Sequence, residues 1–374
     1  MEREAMIKIV SPSGAIDPEY IDRAAEVLCG WGYEVSEAAH ARGKVGRFAA
    51  SDDDRVADLA DALADPAVDM VLCARGGYGL QRIIDRIPPI HKPIIGFSDI
   101  TALHLLAAQT GQATIHAPMC KGIKDEGLRI KDKRLNSTGD AGVSPAVEKH
   151  YTENAETKVI SPDSWLQAPG SPLQRALAHE ALHYELPAHP LNRAGKIKGT
   201  LVGGNLSVLY GLQGTEYGLD ERLRIKGKRL NSFDFKEVRS PGRTQYKDAS
   251  ETKVISPSSC VLHPASSPIL FIEDVGERHY HIDRMMNNLR LSGVLANLCG
   301  LIVGQFSDCE DDPSMGCTVY ETIRHAVEPY HYPVVFNFPA GHVEENMPLY
   351  LNAPVEIDVR EDYSSSIHSF FKSS

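Results

Sequence analysis

The stretch that decides the fold is Pro93–His104, "PIIGFSDITALH". A short apolar run closes on Gly96-Phe97-Ser98-Asp99 and passes directly into a helix-like segment beginning near Ile100. A buried strand that turns straight into a helix is the building unit of an α/β sheet, and such sheets gather function at the carboxyl ends of their strands. A lone serine at that corner has two readings. It caps the helix, or it is a nucleophile raised on a tight turn, where the N–H groups of the helix start stabilise an oxyanion. The second glycine of G-x-S-x-G is absent, because residue 100 is Ile. Alone, the motif favours the cap.

Outward from this corner, strand and helix patterns alternate. "IKIV" (7–10), "YEVS" (33–36), "DMVLCA" (69–74), "PIIGF" (93–97) and "ATIHA" (113–117) read as strands. Residues 18–32, 52–65, a segment around 80–87 and the run from Ile100 read as helices. That alternation predicts a doubly wound, mainly parallel sheet. The second half differs. "GTLVGGNLSVLYGL", "PILFIEDV", "LCGLIVGQF", "PVVFNFPAGH" and "PLYLNAPVEIDV" are strand candidates, with helices near 281–292 and 318–328, and they suggest a smaller mixed α/β domain.

Two stretches interrupt this plan. Residues 128–162 and 223–257 align without gaps, 18 of 35 positions being identical. Two copies are too few for a solenoid. Both are mildly basic in a chain of net charge -11, and they read as duplicated inserts in surface loops, which tolerate added length at little cost. The organisation expected is an amino-terminal domain over 1–127, an insert over 128–162, a helical linker over 163–194, and a carboxy-terminal domain over 195–374 interrupted by 223–257.

Composition narrows the function. At 42% hydrophobic and 24% charged, the 374 residues describe an ordinary globular protein. No apolar run is long enough to span a bilayer, and the opening "MEREAMIKIVSPSG" lacks an apolar signal core, so a cytoplasmic protein without a membrane partner is expected. The acidic balance disfavours nucleic acid. Seven cysteines with no C-x-x-C pair argue against a disulfide framework or a zinc ribbon.

"HEALHYELPAH" sets His179, His183 and His189 at the spacing of an extended zinc-peptidase motif, with Glu180 as the base. The glycine that lets that motif reverse direction is replaced by Leu186, and Pro187 follows. An amphipathic helix, "SPLQRALAHEALHYEL", with surface histidines is the expected reading, and a zinc peptidase is the alternative. "RGGYG" (75–79) sits at a strand end, where backbone N–H groups could bind an anion or form a simple turn. "GGN" (203–205) has the same ambiguity. Glu273 in "FIEDVGE" and His342 in "FPAGHVEENMP" each end an apolar run, as the acid and base of a nucleophilic site would.

Seven segments together settle the choice. "SPSG", "ARGGYG", "IIGFSDITALH", "IHAPM", "LVGGNLSVL", "ILFIEDVGE" and "FPAGHVEENMPL" occur in the order found in the LD-carboxypeptidases, which the chain resembles everywhere outside the two repeats. The resemblance implies a serine peptidase of the muropeptide-recycling or microcin C self-immunity type, with its active site between two domains. It assigns the nucleophile to Ser98, the carboxylate to Glu273, the base to His342, and the oxyanion donors to the backbone of Gly77 and Asp99. Substrate contacts are expected from Arg75, Gly76 and Asn205. No metal or cofactor is expected. The expected partners are a small peptide or muropeptide and, in a homodimer, a second copy of the chain. A binding protein that recruits a partner through its repeats is the alternative from another class.

Overall fold

A computed structural model describes residues 3–124, 171–219 and 268–371. Both repeats, 128–162 and 223–257, lie outside the described residues. In the amino-terminal part, β1 (Met6–Val10), β2 (Glu34–Glu37), β3 (Met70–Cys73), β4 (Ile94–Gly96) and β5 (Thr114–His116) form a parallel sheet ordered β2-β1-β3-β4-β5. β3 and β4 are buried at every residue, which is why they read as continuous apolar runs. The order reverses between β1 and β3. At such a switch point the two connections leave in opposite directions and open a crevice beyond the strand ends.

The helices follow local chemistry. Asp17 caps α1 (Pro18–Gly30) by accepting from the Glu19 N–H, and Pro18 suits the first turn. Ser51 caps α2 (Asp52–Ala64), whose three leading aspartates sit at the positive end of the helix. The helix expected around 80–87 is instead two 3-10 turns, Leu80–Arg82 and Ile84–Arg86. Ile83 between them leaves the helical region at φ -130°, and Pro88 and Pro89 prevent a restart. Residues Ser98–Ile100 form a further 3-10 turn leading into α3 (Thr101–Thr110).

The segment 171–186 overturns an expectation. It is not one amphipathic helix but α4 (Pro172–Leu177), a turn at His179 with φ 57°, and then a strand, β6 (Leu182–Leu186). Leu182, Tyr184 and Leu186 are buried while His183 and Glu185 are half-exposed, the two-residue period of a strand. The region 163–194 is therefore not a purely helical linker.

The second sheet has seven strands, ordered β10-β9-β8-β7-β12-β13-β6. β7 (Gly195–Asn205), β8 (Pro268–Val275), β9 (Gly300–Ser307) and β10 (Val334–Val335) are parallel, and β12 (Ala353–Val359), β13 (Ser365–Ser369) and β6 extend the sheet antiparallel. α5 (Leu206–Leu212), α6 (His279–Leu291) and α7 (Val319–Ala326) accompany it. The mixed sheet matches the sequence expectation. One strand crosses over: β11 (Leu349–Leu351) pairs antiparallel with β5 and completes the first sheet. Asn352 fixes the crossing, its amide donating to the carbonyls of His104 (2.9 Å) and Gln112 (3.2 Å). The carboxy-terminal segment thus ties the two sheets together. Among the described residues, no helix is long and apolar enough to cross a membrane.

Candidate active site

Ser98 follows β4 with φ 65°, a left-handed conformation that a non-glycine residue adopts at a cost. Surrounding packing enforces it. Gly96 and Gly76 leave the space: a Cβ on Gly76 would stand 2.8 Å from Ser98 Cβ and 3.1 Å from its Oγ. At Gly96, with φ 155°, a Cβ would stand 3.0 Å from the Ile100 side chain, so Ile100 fills the room that a second glycine would leave open. His104 on α3 bonds back to the Gly96 carbonyl at 2.9 Å and pins the strand end. Burial pushes this imidazole down to about 4, so its ring is neutral and its Nε2–H donates.

Glu273 and His342, expected as acid and base, come from the second sheet and a loop beside it. Glu273 on β8 is fully buried, and its Oε2 accepts from His342 Nδ1 at 2.8 Å. That bond sets the tautomer and leaves Nε2 with its lone pair. The β8–β9 register shifts between Ile272 and Asp274, so Gly304 and Gln305 together stand opposite Glu273. Such a bulge re-aims a side chain. Here it lets the Gln305 N–H bond the Ala340 carbonyl at 2.9 Å, drawing the 340–342 loop over Glu273. The approach is tight, since a Cβ on Gly341 (φ 129°) would fall 2.8 Å from Glu273 Oε2. Among the described residues Glu273 Oε1 is buried without a hydrogen-bond partner, and His342 is the carboxylate's hydrogen-bond partner.

The two halves meet at Phe97, whose ring packs edge-on against His342 with centroids 4.9 Å apart. His342 thus lies against the residue next to Ser98. Ser98 Oγ makes no hydrogen bond among the described residues, and catalytic contacts of this kind commonly tighten only with substrate in place. Beneath them, His116 is buried between Phe97 and Phe271 and held well below the ordinary imidazole range, by burial first and then by His104 and His342.

Two buried side chains lock the loops around the serine. The Asp99 carboxylate accepts from Ser13 Oγ (2.5 Å) and from the Leu80 N–H (3.0 Å), joining the "SPSG" and "RGGYG" loops to the Ser98 turn. The Arg55 guanidinium reaches the carbonyls of Pro12 (2.5 Å) and Gly79 (3.2 Å) and is balanced by Asp52 at 2.5 Å. Neither role was assigned from the sequence. The signal for Arg55 was there, because it falls on the buried stripe of α2 with Leu59 and Ala62. Gly77 has φ 105° and, with Arg75, lines an open cavity formed by the loops after β1 and β3.

Asn205 departs from expectation. It caps α5 by accepting from the Val208 N–H, and its amide donates to Asp274 at 2.9 Å, so both ends are occupied inside the protein. Asp274 also accepts from the Ser207 and Val275 N–H groups, yet burial and Glu273 raise its carboxyl to about 6. Asn205 supports the frame under Glu273, with both ends of its side-chain amide bonded within the protein.

The zinc-like histidines do not converge. His179 stacks on Phe371 at 3.7 Å, His183 meets His368 at 3.0 Å, and His189 stacks on Phe336 at 5.7 Å. Helical i,i+4 spacing is lost once His183 lies on a strand. Among the described residues, no group of three His, Cys, Asp or Glu side chains is placed to hold a metal ion.

Known proteins resemble this chain over nearly its whole length. A murein tetrapeptide carboxypeptidase of Pseudomonas aeruginosa is 22% identical over 350 residues, covering 92% of this chain and 90% of its own length. A Bacillus subtilis protein named "Probable murein peptide carboxypeptidase" is 27% identical over 368 residues, covering 95% and 89%. The fold matches the crystal structure of muramoyltetrapeptide carboxypeptidase from Oxalobacter formigenes at TM-score 0.68 and 20% identity, covering 99% and 100%. It also matches microcin C7 self immunity protein MccF in complex with aspartyl sulfamoyl adenosine, at 0.63 and 18%, covering 100% and 98%. Residues 7–117 match the LD-carboxypeptidase N-terminal domain and residues 253–357 the LD-carboxypeptidase C-terminal domain. With both halves of the site contained in those two matches, the chain belongs to the LD-carboxypeptidase family.

Proposed function

We propose that the protein is a serine carboxypeptidase that hydrolyses the amide between an L-configured centre and a C-terminal D-amino acid, taking D-Ala from a cell-wall tetrapeptide. The observation that carries this reading is the Glu273–His342 pair, its carboxylate fully buried, packed through Phe97 against a serine held at positive φ. Ser98 Oγ attacks the carbonyl, and His342 Nε2 takes its proton and later delivers it to the leaving amine. Glu273 keeps the imidazole in the required tautomer and stabilises its cation, an interaction strengthened by complete burial. The N–H groups of Asp99 and Gly77 are the candidate oxyanion donors. Losing one donor in such a site costs roughly 10²–10³ in rate.

Names among the relatives favour the murein peptide as substrate. The reducing cytoplasm suits the six described cysteines, all of them free thiols.

The test uses matched LD- and LL-tetrapeptides with the full chain and its Ser98→Ala variant. D-Ala release from the LD peptide alone, reduced at least about 10⁴-fold in the variant, is expected. Undiminished release by Ser98→Ala removes the serine mechanism, and equal cleavage of both peptides removes the stereochemical assignment. An aminoacyl sulfamoyl nucleotide, the ligand class of MccF, is run alongside as the competing substrate.

A further inference from the structure

Two buried polar side chains at the seam of the sheets take no part in the proposed chemistry, His116 and Asn346. His116 closes β5. Its cross-strand neighbours are Gly96, at the end of the strand that leads to Ser98, and Leu349 on the crossover strand β11. The ring is completely buried, edge-on to Phe271 with centroids 4.9 Å apart and 5.7 Å from the Phe97 ring. Phe97 is in turn the ring that meets His342.

Asn346 belongs to the loop that carries His342. The Met347 N–H donates to the Pro339 carbonyl at 2.8 Å and closes that loop at its neck. Inside it, Asn346 Oδ1 accepts from the Gly341 N–H at 2.9 Å. Gly341 precedes His342, so the Asn346 side chain holds the backbone from which the imidazole projects. The chain then enters β11 and pairs with β5. The amide is thereby brought to the end of β5, where it faces His116.

With Oδ1 taken by Gly341, Asn346 Nδ2 is left to donate. Among the described residues it is buried without a hydrogen bond of full geometry, and so are both ring nitrogens of His116. Burial first, and then His104 and His342, keeps this ring neutral, and a neutral imidazole offers one nitrogen lone pair. A buried donor and a buried acceptor that face each other are each costly to leave open, which draws them together.

We propose that His116 and Asn346 are positioning residues: an amide-to-imidazole hydrogen bond between them sets the His342 loop in register with the strand that leads to Ser98. The inference rests on the serine carboxypeptidase reading and deepens it, because nucleophile and base come from different sheets and their separation depends on how the two are joined. Such contacts tighten with substrate in place. The link then runs from Gly96 through His116, Asn346 and Gly341 to His342.

Two variants remove the link from either side. His116→Phe keeps an aromatic ring between Phe97 and Phe271 without its nitrogens, and Asn346→Leu keeps the bulk without the amide. On an LD-tetrapeptide each is expected to lower kcat about 10²-fold with KM within about threefold, the cost of misplacing a base by about 1 Å. The double variant is expected to lose no more than Asn346→Leu alone, because one interaction is removed twice. An undiminished kcat in either single variant, a loss confined to KM, or losses that multiply in the double variant overturn the proposal.

A spectroscopic arm separates this failure from failure of the hydrolytic reading. The proton between His342 Nδ1 and the buried Glu273 carboxylate resonates well downfield of the backbone amides, in a signal that His342→Gln lacks. In full-length S98A this signal is expected. In S98A/H116F and S98A/N346L it is expected to broaden away as the loop loses its register, whether or not any peptide is hydrolysed. An unchanged signal in both variants, or no signal in S98A, overturns the proposal.

Discussion

The histidines of residues 179–189 and the histidine of the loop 340–342 differ in what they meet, and of the two regions the second sets an imidazole against a fully buried carboxylate. In residues 179–189 the spacing is that of a zinc motif, but the side chains scatter: one on an aromatic ring, one against another histidine, one in a loop. In the loop 340–342 a single histidine meets a fully buried carboxylate at 2.8 Å. What an imidazole does is set by its partner and by burial, not by its neighbours in sequence. A carboxylate withdrawn from water needs a polar partner, and the bulge opposite Glu273 brings the His342 loop to it.

The largest expected effect tests this contrast directly. His342→Gln lowers kcat at least about 10⁴-fold, because nothing else described near Ser98 is available as a base. Glu273→Gln costs roughly 10³–10⁴ by removing the group that orders the tautomer. His183→Gln, in the other region, leaves D-Ala release within about threefold. Steady-state assays of the three variants decide it. A large loss in His183→Gln, or a small one in His342→Gln, breaks the comparison.

A smaller effect sharpens it. Gly341→Ala places a Cβ 2.8 Å from Glu273 Oε2 at a backbone with φ 129°, so the Glu273–His342 bond must shift. Misplacement of about 1 Å in such a pair costs roughly 10² in rate. The expected signature is a hundredfold fall in kcat with KM little changed. If kcat holds, the close approach of that loop is not what sets the geometry.

Much of this was legible in the chain. Continuous apolar runs marked β3 and β4 because parallel strands are covered on both faces. Ser98, Glu273 and His342 each sat at a strand end, and the order of the surrounding motifs joined them. Three features were hidden for physical reasons. The alternation in "LHYEL" was masked by its overlap with a helical spacing, which a strand and a helix share over so short a run. The role of Asn205 depended on Asp274, 69 residues away, and a cap cannot be told from a ligand without its partner. The locking of the active-site loops by Asp99 and Arg55 joins positions up to 86 residues apart, a separation that no local pattern encodes.

A third class of histidine gives the smallest and most general prediction. His104 is buried on α3, bonded to the Gly96 carbonyl, and its pKa is pushed from 6.5 to about 4 by loss of water. The folded ring therefore stays neutral while the unfolded ring takes up a proton as pH falls through 6.5. Stability contributed by this difference is present above pH 6.5 and is lost progressively down to about pH 4, amounting to about 3 kcal/mol. His116, shifted in the same direction, adds to the slope. His104→Gln keeps an N–H for the Gly96 carbonyl but cannot titrate. Urea unfolding between pH 4 and 7 should show a shallower decline for this variant than for the wild-type chain. Parallel declines would mean that His104 is protonated in the fold, and that burial on α3 does not hold it neutral beneath the Ser98 turn.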